Sequence, residues 1–468
     1  VSDFEPEEFQ HRTSINTGIL QFSWNHSRIT LLDTPGALSL LGESLAALRA
    51  ADAVVIVLNG TAGIRTELAR LWARAAELGL PCLFYVNGLD RERTSVDAAI
   101  EICRQQLDCF PLPMVVPVGQ GLQLEGVIDL LHQSMIQSGP TSPAVQAIPI
   151  QGHLETNAKA GRTRLLETVA ENEEALLDTY VTHGDLREGD FLRGLRSSIL
   201  ARQCYPLYAG SALRNIGIWS LLNGICALVP SPHERGAQHP FLGTDAETGT
   251  PRERKGSAQE PFSAYVFKTS IDPFVGRLSY CRVFSGTVQA DSTVWNASKR
   301  AREKLGHFYT LLGKRHTVIG AAQAGDIVAI GKLRETQTGD TLCLEKDPVC
   351  YQGLGLPRPV LSFAIEPKSK TEIDKVSLGL HRLIEEDPSL EFTRNPDTKE
   401  MVLSGLGQLH IDLALEKLHR KFGADVLLHT PKIPYRETLH AASRAQGKFK
   451  KQTGGHGQYG DCWLEVEP

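Results

Sequence analysis

The sequence predicts a multidomain chain: an α/β domain first, a small antiparallel β-barrel second, and an α+β domain third. Three observations carry this reading. The first 230 residues alternate apolar, β-like runs with helical patterns. From Pro261 to about Leu344 come short runs rich in Val, Ile and Thr, separated by Gly and Asp, without a helical pattern. From Leu356 to about Pro431 a β-α-β rhythm returns. A length of 468 residues is too great for a single core.

Within the first domain, Arg28–Leu32 reads as a strand running into the turn Asp33-Thr34-Pro35-Gly36. A helical stretch, Leu40–Arg49, leads to a buried strand, Ala53–Leu58. Glu67–Leu78 has apolar residues at helical spacing and precedes a further strand, Pro81–Val86. Short connections predict that successive strands lie parallel in one sheet. The pattern loosens over residues 111–206, which reads as an insertion with a β-like stretch at Met114–Val118 and helical stretches around Leu165–Leu177. The strand Tyr205–Ala209 and helix Ile218–Leu228 resume the rhythm, so the domain spans 1–232. A polar linker is expected over 233–260, the barrel over 261–350 and the α+β domain over 356–432, with helices at Glu372–Glu386 and Gly407–Phe422. Residues 435–468 begin a fourth unit.

Composition narrows the function. Hydrophobic residues make up 41% and charged residues 22%, as in soluble globular proteins. The longest apolar run, Ala53–Leu58, is far short of the ~20 residues that span a bilayer. No secretory pattern opens the chain. Nine cysteines, scattered without a CxxC pair, suit free thiols in a reducing cytoplasm. A net charge of −5 excludes a protein that coats nucleic acid by bulk charge, so any RNA contact is local.

The candidate chemistry lies where strands end, the place at which ligands bind in open parallel sheets. At Asp33-Thr34-Pro35-Gly36 the carboxylate can hold Mg²⁺ through water, and Gly36 can bring its N–H to a phosphate oxygen. At Asn87-Gly88-Leu89-Asp90 the Asp90 carboxylate matches the adjacent N1–H and N2–H₂ donors of guanine, while Asn87 orients the loop. Adenine offers no such pair. At Gly210-Ser211-Ala212-Leu213 small residues let backbone N–H groups approach a base carbonyl. Each tetrad alone is an ordinary turn; three in this order, each after a strand, point to a GTP site.

These motifs resemble the third, fourth (NKxD) and fifth motifs of GTPases. Beyond them, Leu403–His410 resembles the SGMGELHL segment of the third domain of elongation factor G. Pro434-Tyr435-Arg436-Glu437-Thr438 resembles its VAYRETI, and Gly447–Gly460 the glycine-rich opening of its fourth domain. The resemblance, which covers nearly the whole chain, implies a P-loop-type GTPase domain and a ferredoxin-like α+β domain. It implies GTP and Mg²⁺ as ligands, and translocation or ribosome recycling coupled to GTP hydrolysis. The implied partners are the ribosome, through rRNA and ribosomal proteins, and tRNA and mRNA through the fourth domain. A cytoplasmic monomer without a membrane partner is expected. The binding assignments are Asp33 and Ser14 for metal, Gly36 for the γ-phosphate, and Asn87, Asp90, Ser211, Ala212 and Leu213 for guanine. The tail's Lys448, Lys450 and Lys451 can meet phosphates, with Phe449 and Tyr459 beside them.

The sequence departs from the family pattern at three places. No GxxxxGK[ST] occurs, which leads us to expect a chain truncated at both ends, with weak or no GTP binding as it stands. Ala37 stands where the family has the histidine that positions the attacking water, so no residue receives a catalytic role. Gly88 replaces the lysine of the fourth motif, and His11-Arg12-Thr13-Ser14-Ile15 stands for RGITI, placing Ser14 at the magnesium-binding threonine. Alternatives are a hydrolysis-deficient ribosome-binding paralogue, and a ribosomal-protection or release-type GTPase of the same superfamily.

Overall fold

Four parallel strands form the centre of the first domain, in the spatial order Val54–Asn59, Cys82–Asn87, Tyr205–Ala209, Pro111–Pro113. Cys82 to Val86 are all buried, as befits a strand covered by helices on both faces. Leu83, Phe84, Val86 and Leu207 pack there against Leu45, Ala75 and Cys103 from helices Leu41–Ala50, Thr66–Glu77 and Val96–Leu107. The computed structural model describes residues 1–60, 64, 66–138, 145–272, 276–369 and 372–468.

The strand expected at Arg28–Leu32 runs from Ser27 to Asp33, but it does not join the parallel sheet. It pairs antiparallel with Gly18–Trp24, from Gly18 opposite Asp33 to Trp24 opposite Ser27. The cause is local. Asn25 and His26 both adopt positive φ, 41° and 60°, the turn geometry whose twist suits a two-stranded ribbon. Leu20 then pairs with Leu312, so the hairpin extends the sheet of the second domain.

The insertion is more ordered than its pattern suggests. Antiparallel strands Val115–Val118, Gly126–Asp129, Ser134–Ser138 and Val145–Ile148 precede helices Gly152–Ala170, Glu174–His183 and Glu188–Leu200. Residues 139–144 of this insertion lie outside the described residues. The helical stretch around Leu165–Leu177 is two helices, the first ending at Ala170 and the second capped by Glu173. The stretch read as a linker, 233–260, is also structured. Ser231 and Glu234 exchange side-chain-to-backbone hydrogen bonds at the start of helix Pro232–Gln238. Phe241–Thr244 and Pro251–Arg254 form an antiparallel sheet with Cys350–Tyr351, a partner too distant in sequence to be read beforehand.

The second domain is antiparallel, as expected, and alternation divides its strands between two cores. Ala264 and Val266 join Val283, Phe308, Val328 and Leu342. Tyr265 and Phe267 face the other way, onto Phe241, Phe284, Tyr351 and the first domain's Ala46 and Ala50. The barrel expectation needs one correction: among the described residues the strand path runs open, from Ala301–Lys304 to the Gly18–Asp33 hairpin, without closing. Phe308–Leu312 is flanked on one side by Ile327–Gly331 and on the other by Arg315–Ile319 and Leu20, so the path is continued by the first domain's hairpin.

The third domain runs Leu361–Pro367, helix Ile373–Glu386, Glu391–Arg394, Met401–Gly405, helix Gln408–Phe422, Val426–His429. The β-α-β-β-α-β order, with the first strand central beside the third and fourth, is ferredoxin-like. The tail forms a hairpin, Ser443–Thr453 against His456–Val466, turned by Gly454 and Gly455 at φ 53° and 82°. Its side chains are all exposed.

A buried charge cluster ties the first two domains. The Arg282 guanidinium donates to both Asp52 oxygens at 2.7 and 2.9 Å, and Arg235 lies 3.8 Å from the same carboxylate. Removing the acid leaves two buried cations uncompensated, so Asp52→Ala is expected to cost about 3 kcal/mol. A urea titration of this variant against the parent measures it; superimposable midpoints would show that the cluster does not hold the interface.

Candidate functional site

Asn59 stands opposite Asn87, and Val86 opposite Ala209, so the three central strands end nearly level. The loops at Gly60, Gly88–Asp90 and Gly210–Leu213 therefore leave one edge of the sheet. Asn87 joins two of them. Its Oδ1 accepts the N–H of Gly88 and the N–H of Ala212, each at 2.9 Å. A second tie runs from the Leu89 N–H to the Gly210 carbonyl at 3.0 Å. Gly210 must be glycine, because a Cβ there would stand 2.0 Å from the Ile216 carbonyl oxygen. Gly88 has φ 82°, so glycine adopts this turn without the strain a lysine would carry. The Arg91 side chain folds into the room so left, its Cδ 3.7 Å from where a Cβ would be.

Asp90 is half-buried, and among the described residues its carboxylate accepts no hydrogen bond and makes no ion pair. Its charge is felt nearby: burial first, and then Asp90, push the Tyr85 hydroxyl well above the usual phenol range. Ser211 is buried and its hydroxyl accepts the Arg214 N–H at 3.2 Å. The Leu213 side chain is 88% exposed, so this position offers only its backbone to the loop.

Ser14, Asp33, Gly36 and Ala37 are positioned by another part of the fold. Asp33 ends the hairpin, and the Pro35 carbonyl accepts the Ser44 hydroxyl at 3.0 Å. The loop around Ser14 hangs on two glutamates. Glu8 accepts the N–H groups of Ile15 and Asn16 at 3.0 and 3.1 Å, and Glu43 that of Thr17 at 2.7 Å. Glu43 also pairs with Lys268 of the second domain at 2.5 Å. Glu8 also closes a capping box with Glu5 at the start of helix Pro6–His11, but no motif marks either glutamate as a support of the Ser14 loop. Among the described residues no hydrogen bond joins this group to the Asn87–Asp90 and Gly210–Leu213 loops.

The oxygen donors suit a hard cation. Asp33 is half-buried at a strand end, and neither its carboxylate nor the Ser14 hydroxyl hydrogen-bonds to a described residue. Among the described residues no three His, Cys, Asp or Glu side chains cluster closely enough to hold a metal by themselves. One carboxylate and one hydroxyl fit Mg²⁺, which keeps waters and shares phosphate oxygens.

The third domain grips this second group. Ile15 and Leu40 pack on Leu413, with Ala37 and Leu409 against them. Around that apolar contact, His11 meets Glu416 at 3.0 Å, Lys417 meets Asn16 at 3.2 Å and Arg420 meets Glu7 at 2.6 Å. Ala37 thus contributes apolar surface where a histidine would contribute a ring nitrogen.

An α/β domain with strand-end loops, followed by an antiparallel β domain and a ferredoxin-like domain, defines the class of translational GTPases. Residues 1–231 match the Elongation factor Tu GTP binding domain, 261–345 Elongation factor G domain 2, 356–430 Elongation Factor G, domain III, and 431–468 Elongation factor G, domain IV. Elongation factor G of Dehalococcoides mccartyi is 34% identical over the whole chain, which spans 67% of that relative. A crystal structure of a Thermus thermophilus protein is 31% identical, with a TM-score of 0.84 over 100% of this chain and 67% of the other. The chain belongs to the elongation factor G family, GTP-binding translation factors that act on the ribosome.

Within the third domain, beside the first domain's Gly42, a partly buried acid pairs with a buried histidine. The Leu406 N–H donates to His410 Nδ1 at 3.1 Å, so Nε2 carries the proton given to Asp387 at 2.8 Å. Ser389, which also donates its hydroxyl to Asp387, lies where a Cβ on Gly42 would come within 2.9 Å. Burial alone would raise the Asp387 carboxyl, but the His410 and Ser389 hydrogen bonds outweigh it and hold the group well below the usual carboxylate range. A depressed folded pKa gives stability that is complete above the ordinary value of about 4 and is lost as pH falls through the folded one. Stability measured from pH 6 down to pH 2 should therefore fall more steeply for the parent than for Asp387→Asn; parallel curves would exclude Asp387 as the group responsible.

Proposed function

We propose that this chain supplies the guanine- and Mg²⁺-binding residues of a GTP site, and that the factor engages the ribosome in the GTP-bound state and hydrolyses GTP slowly. The Asn87 bridge carries the guanine reading, because it holds two loops together while leaving the Asp90 carboxylate free to accept the N1–H and N2–H₂ of the base. Backbone N–H groups of the Ser211–Leu213 loop would meet the base carbonyl, and Gly36 the γ-phosphate. Asp33 and Ser14 would hold Mg²⁺, which would neutralise charge developing on the phosphates.

The slow-hydrolysis reading rests on Ala37, whose methyl group packs with Ile15, Leu40 and Leu413 and cannot orient a water. It favours a GTP-dependent ribosome binder over a rapidly cycling translocase, with tRNA and mRNA reached through the fourth domain. The nine cysteines are free thiols, and no described helix is long and apolar enough to cross a membrane.

Nucleotide binding and ribosome-stimulated turnover, measured on the protein expressed from its complete gene, test both parts. Asp90→Asn should weaken GTP binding by about a thousandfold and restore affinity for xanthosine triphosphate, whose C2 carbonyl suits an amide donor. Equal GTP affinity in parent and variant would sink the guanine assignment. Ala37→His should raise turnover on ribosomes by about a hundredfold. Parent turnover already at the level of the variant would mean that another group positions the water.

A further inference from the structure

Three Asn-Gly dipeptides occur in the sequence: Asn59-Gly60, Asn87-Gly88 and Asn223-Gly224. In such a pair the glycine nitrogen, with no Cβ beside it, can close a cyclic imide on the preceding carboxamide. The fold treats the three differently. Asn223-Gly224 lies inside helix Ile218–Leu228, whose ladder engages the Gly224 N–H. Asn223 Oδ1 is held there by the Trp24 indole N–H and the Asn25 amide, each at 2.8 Å. The Gly60 N–H is committed to the Asn87 backbone carbonyl at 3.2 Å. Gly88 alone of the three sends its N–H to the side chain that precedes it, reaching Asn87 Oδ1 at 2.9 Å from a turn at φ 82°. The same oxygen accepts the Ala212 N–H at 2.9 Å. Asn87 and Gly88 are half-buried and Ala212 is exposed, so water reaches this corner.

We infer that Asn87-Gly88 is a site of spontaneous deamidation through a cyclic imide. The Gly88 nitrogen gives its proton to solvent and bonds to Asn87 Cγ, and negative charge gathers on Oδ1. The Ala212 N–H already faces that oxygen, so a donor is in place where the charge develops. The Cγ–Nδ2 bond then breaks, and ammonia leaves with a proton regained from solvent. Water opens the imide at either carbonyl, restoring the Gly88 N–H and leaving an aspartyl or an isoaspartyl residue. The aspartyl product keeps an oxygen for the Gly88 and Ala212 N–H groups. The isoaspartyl product places the β-carbon of residue 87 in the backbone, which carries Leu89 out of line with the Gly210 carbonyl that holds its N–H at 3.0 Å. A lysine at position 88 would shield the nitrogen with its own Cβ, so the site exists through that departure. The chemistry is independent of the guanine reading; only its effect on nucleotide affinity rests on that reading.

The test ages the full 468-residue chain in mildly alkaline buffer without nucleotide, then digests it under acid for peptide mass spectrometry. A matched sample is aged in guanidinium chloride, where all three dipeptides are unfolded. We expect Asn87 to react in the folded chain about as fast as in denaturant, giving separable aspartyl and isoaspartyl peptides. Folding should slow Asn59 and Asn223 by about tenfold or more. Protection of Asn87 to the same degree as the other two overturns the site. Folded-state rates at Asn59 or Asn223 equal to those in denaturant overturn the geometric argument that sets Asn87 apart. An aspartyl product without its isoaspartyl partner overturns the imide route, since water would then have attacked the amide directly. Because no nucleotide enters the measurement, none of these results is confused with a failure of the guanine assignment.

Discussion

The ten-residue helix Leu41–Ala50 has no solvent face to spare, and three domains meet on it. Leu41, Leu45 and Leu48 close the core of the first domain. Ala46 and Ala50 pack with the aromatic cluster of the second. Leu40, just before it, packs on Leu413 of the third. Eight of its ten residues are buried, which explains its composition: small residues where another domain comes close, leucines where a core must be filled. Gly42 shows how tight the fit is, since even a methyl group there would collide with Ser389.

This helix follows directly on Asp33-Thr34-Pro35-Gly36 through a single 3₁₀ turn, Leu38–Leu40. A shift in the Gly36 loop is therefore carried into an element that cannot move alone. Glu43 makes the coupling polar as well as steric, holding the Thr17 N–H of the Ser14 loop and the Lys268 ammonium of the second domain at once. Interiors packed this closely rearrange between discrete arrangements rather than deforming continuously, the property a nucleotide-dependent factor needs. The Asn87–Asp90 and Gly210–Leu213 loops leave adjacent central strands of the sheet and are hydrogen-bonded to each other. The fold thus pairs two loops tied to each other with a second group, around Gly36, held by contacts from other domains.

What could be read beforehand follows the range of the interactions. Tyr205–Ala209 and Ile218–Leu228 are found at the residues expected, because local periodicity and turn signals mark them. Gln408–Phe422 is likewise bounded by Gly407 and by Gly423 in a left-handed cap. The errors are errors of partnership. Ser27–Asp33 has the composition of a parallel strand but is captured by its neighbour across Asn25-His26. Phe241–Thr244 reads as linker because Cys350–Tyr351, its partner, lies far along the chain. The second domain's strands are legible as strands, whereas the open path of their sheet depends on a hairpin supplied by the first domain.

The sequence by itself determined the strand-end motifs, their order and the kinship they declare, because each motif is a short backbone geometry coded by adjacent residues. It determined the absence of a histidine at position 37 and of a lysine at position 88 for the same reason. Only the tertiary structure decided why those departures are accommodated. Ala37 is absorbed into an apolar contact with Leu413, and Gly88 occupies a left-handed turn with Arg91 folded over it. Only the tertiary structure, too, brought Glu8, Glu43 and the Asp387–His410 pair to bear on the loops they hold. Their partners lie on other elements, and in an unfolded chain nothing distinguishes a glutamate that will be buried from one that will face water.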